Sequence, residues 1–401
     1  MRDVIEFPGR DKDSSAKAYG RLLRDDISTD PDFYVFSPDE TSSNKIDAVY
    51  DVSPRLWLRE TMQWEEHLGR EGQVLELLSE NALAAVLVGH NLVDGRGVLV
   101  SYESFLPIIT SQIDQHIKYM EQSSHVSWRS EPPAFNLMST STCWRQDHNG
   151  YSHQNPSIIS HLLAIPSGRA NCLFPVDATA TVAAYSVVKN TTGVVNLTTL
   201  NKTDEPQWID IGHANWQYEN CGASVFGFAS DDDPQIVVAG CGDIVTREAL
   251  YAVKIVKEAI PELRIRFVGV TALSYNAIGL TDNRLSRTGF DEMFGNRPVV
   301  ANFHGYPDAL KQIFSAYHCD ATVRGFIEKG STTTPFDMLA RNQADRYNLA
   351  IDIIQRATDL GLIAPDYLFA LIEQFQAKLA ENANYIRENG QDLSEITNYH
   401  W

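Results

Sequence analysis

Short runs of apolar, largely β-branched residues alternate with helix-like segments along most of the chain, and this alternation constrains the fold most strongly. Strand-like runs occur at 98–101, 134–138, 170–174 and 193–199, and residues 178–189 have helical spacing. Strands that are apolar throughout are typical of parallel sheets covered by helices on both faces. The pattern therefore predicts an α/β protein built from doubly wound domains.

A second series of strands and helices begins after an acidic, turn-like segment at 230–234. A chain of 401 residues is too long for one compact core, so two domains in series are expected. We take the acidic segment as the boundary between them. The sequence predicts a linker or arm at 1–30, a first α/β domain at 31–229 and a second at 230–401.

The charge balance excludes several classes of partner. The chain has 33 basic and 52 acidic residues, a net charge of −19. Such a protein repels nucleic acid and anionic membrane, so neither is an expected partner. An anionic substrate would have to be bound by local donors.

Targeting and cysteine patterns add little. The N-terminus is polar, without the apolar core of a signal peptide, and no run of eighteen apolar residues occurs. The five cysteines are scattered, which argues against a disulfide framework or a zinc site. These features predict a cytoplasmic protein.

Common nucleotide and hydrolase motifs are missing from the sequence, and four other segments are unusually dense in polar and aromatic groups. The chain has no phosphate loop ending in GK[ST], no GxGxxG after a strand and no GxSxG. The dense segments are 36–45, 78–80 leading to 101–105, 144–153, and 330–337.

These four segments resemble the phosphoketolase family, thiamine-diphosphate enzymes that split xylulose 5-phosphate or fructose 6-phosphate with inorganic phosphate. The family reads close to FGPDETxSNR, LSE with SSYExF, WRQDHNGFSHQDP and GTTTTPFDM at these places. The third segment is nearly identical over ten residues, and the similarity extends from Tyr19 to Arg346. The resemblance implies a transketolase-like pyrimidine-binding domain followed by a transketolase-like C-terminal domain.

The resemblance assigns the cofactor-binding residues. Glu80 matches the glutamate that hydrogen-bonds the thiamine pyrimidine ring and activates the cofactor. Tyr102 and Phe105 match aromatic residues that pack beside this ring. By position alone, Glu80 is more simply explained as a first-turn carboxylate that favours a helix N-terminus. The two aromatic residues would more often be core.

Further residues are implied in catalysis and substrate binding. His153 matches a histidine that contacts substrate and intermediate, and His148 is a second catalytic candidate, since histidine can donate and accept protons near neutrality. Without the resemblance, two loop histidines would more often be surface residues. The expected binding residues for the sugar or its phosphate are Asp39, Glu40, Ser43, Lys45, Gln146, Asn149 and Lys202. Ser331–Thr334 are expected at the domain interface.

The half of a phosphoketolase that holds the cofactor diphosphate and its divalent metal has no counterpart here, since the sequence contains no GDG motif. The chain opens with methionine and a full linker, so a split enzyme is expected. A separate partner chain would carry the diphosphate-binding domain and Mg²⁺, share thiamine diphosphate, and form an α₂β₂ heterotetramer. No metal ligand is predicted in this chain.

Departures from the family pattern leave the reaction open. Lys45 replaces an arginine that can bind phosphate through two donors, and a second family arginine falls on Ser124 or His125. Three readings follow. The first is a phosphoketolase-like lyase acting on a phosphorylated sugar; the second is a transketolase-like or acyloin-forming carboligase subunit. The third is a non-catalytic regulatory or scaffold subunit.

Overall fold

The computed structural model describes residues 7–38, 40–145 and 148–401. Within these residues the strands are β1 (Lys12–Asp13), β2 (Phe33–Ser37), β3 (Arg55–Leu56), β4 (Leu68–Gly69), β5 (Val74–Glu76), β6 (Arg96–Tyr102), β7 (Phe135–Thr140), β8 (Ala170–Leu173), β9 (Val195–Thr199), β10 (Glu205–Pro206), β11 (Ala223–Val225), β12 (Ile236–Cys241), β13 (Ile265–Val270), β14 (Ala272–Ser274), β15 (Ala277–Leu280), β16 (Asn283–Arg284), β17 (Val299–Phe303) and β18 (Ala321–Arg324). The helices are α1 (Ser15–Thr29), α2 (Glu80–Asn91), α3 (Thr110–Ser123), α4 (Ser157–Leu163), α5 (Ala178–Val188), α6 (Ile211–Asn220), α7 (Asp243–Ala259), α8 (Arg287–Met293), α9 (Pro307–Ala316), α10 (Pro335–Arg341), α11 (Arg346–Asp359), α12 (Pro365–Asn389) and α13 (Ser394–Thr397).

The larger sheet is parallel over most of its width. Its strand order is β16-β15-β14-β8-β9-β7-β6-β2-β5-β3-β4, and every pairing from β8 to β4 is parallel. Every residue of β7 and β9 is buried, because helices cover both faces of the sheet. The predicted α/β class is therefore confirmed.

A second, smaller sheet has the order β11-β13-β12-β17-β18. Strands β13, β12, β17 and β18 run parallel, while β11 is antiparallel to β13. All residues of β12 and β17 are buried. Helix α7 packs on β12 and on α11, so this sheet is also covered.

The two sheets exchange strands across residue 230. Strand β11 precedes this residue and pairs in the smaller sheet through Ala223 and Val270. Strands β14 to β16 follow it and extend the larger sheet, where Leu273 is opposite Cys172. The acidic segment at 230–234 therefore does not coincide with a division between the two hydrogen-bonded sheets.

The segment expected to be an arm contains a packed helix. Ser14 caps α1 by accepting a hydrogen bond from the Lys17 N–H at 3.3 Å. Tyr19 is fully buried, and its ring meets that of Tyr185 on α5 edge-on at 4.9 Å. Residues 15–29 therefore lie against the larger sheet's helical layer.

None of the helices in the described part of the chain is long and apolar enough to cross a membrane.

His116, on α3, is a buried histidine without a hydrogen-bond partner on either ring nitrogen. Burial lowers its pKa from 6.5 to about 4. The neutral ring is therefore favoured in the folded protein, and stability is lost as pH falls from about 6.5 towards 4. We expect His116→Leu to raise the free energy of unfolding by about 2 kcal/mol more at pH 5 than at pH 8.

Urea unfolding at both pH values measures this difference. His125→Leu is the matched control, because His125 is exposed. A gain of the same size at both pH values would show that the charge of His116 is not the cause.

Candidate active site

The candidate site lies at the carboxyl edge of the larger sheet. Parallel strands end on the same side, so the residues that follow β2, β5, β6 and β7 meet there. Glu80 is the first residue of α2, and Ser79 is the cap of this helix, accepting from the Ala82 N–H at 3.2 Å. The half-buried Glu80 carboxylate accepts a hydrogen bond from Ser101 Oγ at 3.4 Å. Because Ser79 supplies the cap, the Glu80 side chain is left for another role.

A second carboxylate, Glu40, lies close to Glu80. Burial, and then the negative charge of Glu80, raise the pKa of Glu40 to about 7. Its Oε2 atom is buried and has no hydrogen-bond partner. Near neutral pH the Glu40 carboxyl therefore holds a proton for much of the time, beside an acceptor of the same kind. The sequence alone predicts Glu40 only as a substrate-binding residue, because it does not show the proximity to Glu80.

Aromatic residues connect these carboxylates to the histidine loop. The Tyr102 and Phe105 rings stack at 5.8 Å, and the His153 ring meets Phe105 edge-on at 5.5 Å. The Ser43 hydroxyl is hydrogen-bonded to the Tyr102 hydroxyl. Both rings are half-buried, so part of each is accessible. We call Tyr102 and Phe105 together the aromatic wall.

Two lysines supply positive charge at this wall. The Lys202 ammonium lies 4.7 Å above the Tyr102 ring centre, within the range of a cation–π contact. Burial lowers the pKa of Lys202, the charge of Glu40 opposes this, and the charge of Lys45 adds to the lowering. Lys45 is exposed and has a φ of 62°, at the end of the turn that begins at Glu40.

The loop that carries His153 packs on the fourth dense segment. A Cβ on Gly150, whose φ is +63°, would come within 2.6 Å of Thr332 Oγ1, so a larger residue here would be strained and would displace Thr332. Ser152 Oγ donates to the Asn149 carbonyl at 3.1 Å and is 2.9 Å from His153 Nδ1. His148 and Asn149 lie exposed on this loop.

The structure thus brings together Glu80, Glu40, Ser43, Tyr102, Phe105, His153 and Lys202. Asp39 and Gln146 lie outside the described residues.

A buried ion pair joins the two halves of the chain beside this site, and sequence reasoning did not find it. Glu103 Oε1, just after β6, is 2.7 Å from His304 Nε2, just after β17, and both side chains are at most 1% exposed. Burial lowers the pKa of His304. The charge and the hydrogen bond of Glu103 together raise it by more than burial lowers it, so the pKa is raised overall. The signal was Glu103 within SYESF and His304 within HGYP.

Cys143 completes a group of three potential metal ligands with these two residues. Their ligand atoms lie within 4.8 Å of one another, and all three residues are buried. Glu103 Oε2 also accepts the Cys143 N–H at 2.8 Å, so both carboxylate oxygens already have protein donors. Burial raises the pKa of the Cys143 thiol well above its usual range, which disfavours the thiolate that metals require. The group is explained as a structural contact between the halves.

Comparison with known families matches nearly the whole chain. A family model described as D-xylulose 5-phosphate/D-fructose 6-phosphate phosphoketolase matches residues 17–190, and one described as the C-terminal domain of the same family matches residues 202–401. Proteins named probable phosphoketolase from Nitrosomonas europaea and Brucella abortus are each 36% identical over 99% of this chain and 51% of their own length. The chain thus spans about half the length of the curated relatives it matches.

Transketolases are among the solved structures that resemble this chain. A Pichia stipitis transketolase complex with sedoheptulose 7-phosphate superposes with a TM-score of 0.68 at 15% identity, over 90% of this chain and 50% of that one. A chain titled split gene transketolase, inactive beta4 tetramer, superposes with a TM-score of 0.58 at 15% identity, over 86% of this chain and 98% of that one. At these identities the likeness establishes the transketolase-like fold alone.

Proposed function

Because this chain belongs to the phosphoketolase family, we propose that it is one subunit of a split thiamine-diphosphate-dependent, phosphoketolase-like enzyme. The enzyme would cleave a ketose phosphate and transfer a two-carbon unit. The observation that carries this proposal is the half-buried Glu80 carboxylate at the start of α2, next to the stacked Tyr102 and Phe105 rings.

The residues present fit the pyrimidine half of thiamine diphosphate. The Glu80 carboxylate does not cap its own helix, so it can accept a hydrogen bond from a protonated ring nitrogen. The half-buried rings of Tyr102 and Phe105 offer a surface on which an aromatic ring can pack. The Oε2 atom of Glu40 is buried without a hydrogen-bond partner, so a bound ligand could supply one. Glu80, Tyr102 and Phe105 would hold the pyrimidine.

The remaining residues have separate roles in the proposed reaction. When bound, thiamine diphosphate supplies a carbon nucleophile for cleavage next to the ketose carbonyl. Glu80 would hold a proton against the pyrimidine nitrogen N1′. His153 would move a proton at the substrate oxygens, because its ring reaches the aromatic wall and Ser152 orients it through Nδ1. Lys202 would attract the substrate phosphate; His148, Asn149, Ser43 and Lys45 would bind at the rim.

A partner chain would supply what this chain lacks. We propose that a separate polypeptide carries the diphosphate-binding domain with Mg²⁺, and that the two chains form an α₂β₂ heterotetramer. The curated relatives are about twice as long, which supports this division. So does the solved chain of similar extent whose title describes a split gene transketolase and an inactive tetramer.

The test is an assay of the two chains produced together. We expect ketose-phosphate cleavage with thiamine diphosphate and Mg²⁺ from the co-purified complex, and none from either chain alone. Xylulose 5-phosphate and fructose 6-phosphate are the substrates, and a coupled assay for the aldose phosphate product reports turnover. A stable complex that turns over neither substrate, with phosphate or with aldehyde acceptors, would contradict the proposal.

A carboligase is the second candidate, favoured by the weaker phosphate donors. Lys45 is exposed and offers a single charged group where an arginine would present a fork, and Ser124 and His125 are exposed at the end of α3. In that case the two-carbon unit passes to an aldehyde. Product analysis separates the two reactions, because only the lyase gives acetyl phosphate and requires inorganic phosphate.

A further inference from the structure

A cavity of about 530 Å³ lies where the two halves of the chain meet, apart from the candidate active site. We call it the junction pocket. Its walls are the segments 203–206, 333–336 and 390–392, together with the side chains of Lys12 and Arg145. Its volume is in the range of sites for small organic ligands.

The acidic groups of the pocket are already paired. Glu205 accepts from Arg247 at 2.5 Å, and Asp204 is 3.1 Å from the Lys17 ammonium. Asp392 accepts from Thr334 Oγ1 at 2.7 Å and from Asn382 Nδ2 at 2.9 Å. These carboxylates are therefore held by protein donors, and the field in the cavity is set by the remaining charges.

Two of the four cations that line the pocket are also paired. Arg247 contacts Glu205 and Glu248, and Arg346 contacts Glu248 through two nitrogens, at 2.8 and 2.9 Å. Lys12 and Arg145 differ, because neither side chain has a hydrogen bond or ion pair within the described residues. The Nε atom of Arg145 is buried and lacks a partner. A buried guanidinium donor without an acceptor marks a place where an acceptor is missing.

We propose that the junction pocket binds a small phosphate-bearing molecule, whose phosphate is held by Arg145 and Lys12. A guanidinium presents a planar fork that matches phosphate oxygens, and the ammonium adds a second positive charge, so the pair suits a dianion. The carboxylates that line the pocket are already engaged by protein donors, so they do not compete for these two cations.

The site is distinct from the one that would bind substrate. Trp144, next to Arg145, is fully buried, and its Nε1 donates to the His304 carbonyl at 2.9 Å. None of Glu80, Tyr102, Phe105, His153 and Lys202 lines the junction pocket. The two sites can therefore be tested by separate substitutions.

The experiment is calorimetric titration of the full chain with inorganic phosphate, glycerol 3-phosphate and acetate at low ionic strength. We expect both phosphates to bind, with acetate at least ~10-fold weaker because it carries one charge. Arg145→Gln and Lys12→Gln should each weaken phosphate binding by about 10-fold or more. If Arg145→Gln fails to fold, Lys12→Gln still tests the proposal, because Lys12 is exposed and its substitution should leave the fold intact.

Two further variants locate the bound anion. Arg297→Gln is the charge-matched control, because Arg297 is far along the chain and is paired with Asp233 at the surface. Lys202→Gln reports on the candidate active site. Unchanged binding in these two variants supports the junction pocket. Binding that survives both Arg145→Gln and Lys12→Gln, or that is lost only in Lys202→Gln, overturns the proposal and leaves the proposed lyase function untouched.

Discussion

Glu80→Gln should lower kcat of the assembled two-chain enzyme by about 10²–10⁴-fold, the usual loss when a positioned acid or base is removed. Glutamine keeps the size of the side chain and can still hydrogen-bond, but it cannot hold a negative charge or exchange a proton with the pyrimidine. The variant should fold normally, since the cap of α2 is Ser79 and not the Glu80 side chain. Steady-state kinetics of the complex, with a thermal melt for each variant, measures both effects.

A second readout distinguishes a catalytic role from a structural one. Thiamine diphosphate binding, followed by calorimetry, should weaken far less than kcat falls, because the aromatic wall and the partner's diphosphate site remain. Glu262→Gln is the matched control at an exposed position of the second half. If Glu80→Gln left kcat unchanged in an active complex, the chain would act as a non-catalytic subunit.

Glu248→Gln should lower the free energy of unfolding by about 3–5 kcal/mol, the cost of breaking a buried ion pair from one side. The Glu248 side chain is fully buried, with Arg346 Nε at 2.8 Å and Arg247 Nη2 at 3.0 Å. Removing its charge leaves two guanidinium groups without their shared partner. Urea unfolding at pH 7 measures the loss.

The pH dependence of the same residue gives an independent check. Burial alone would raise the pKa of Glu248, but the two arginines outweigh it and lower the pKa to about 2. The stabilisation is therefore present above pH 4.5 and is lost as pH falls towards 2, and Glu248→Gln should remove this part of the acid dependence. Asp291→Asn, in an exposed pair with Arg287, should change stability by no more than about 0.5 kcal/mol. Equal effects of the two substitutions would contradict the assignment.

The central strands of the larger sheet were predicted well, because each is rich in apolar and β-branched side chains. The run at 98–101 lies within β6, and the helix expected at 178–189 corresponds to α5, Ala178–Val188. Strands β14 to β16 were not predicted. They have two to four residues each, too few for periodicity to show, and they join the larger sheet through the pairing of β14 with β8, a contact between distant parts of the chain.

The candidate site was predicted unevenly, for a physical reason. Glu80, Tyr102 and His153 can be singled out from the sequence because each lies in a short motif with a family counterpart. The contact of Glu103 with His304 was not, since these residues are 201 positions apart and meet only when the ends of two strands from different sheets face each other. The raised pKa of Glu40 also depends on burial and on the charge of Glu80 at the start of α2, and neither can be read from the order of residues along the chain.

Because the sheets exchange strands, separating the two halves would break the backbone hydrogen bonds between β11 and β13 and between β14 and β8. A chain cut near residue 230 would lose β11 from the smaller sheet and β14 to β16 from the larger one. Each fragment would then expose a strand edge with unpaired backbone N–H and C=O groups. Such edges invite self-association. The two halves should therefore unfold together in a single cooperative transition. Truncating the chain at the acidic segment 230–234 is not expected to give a stable fragment.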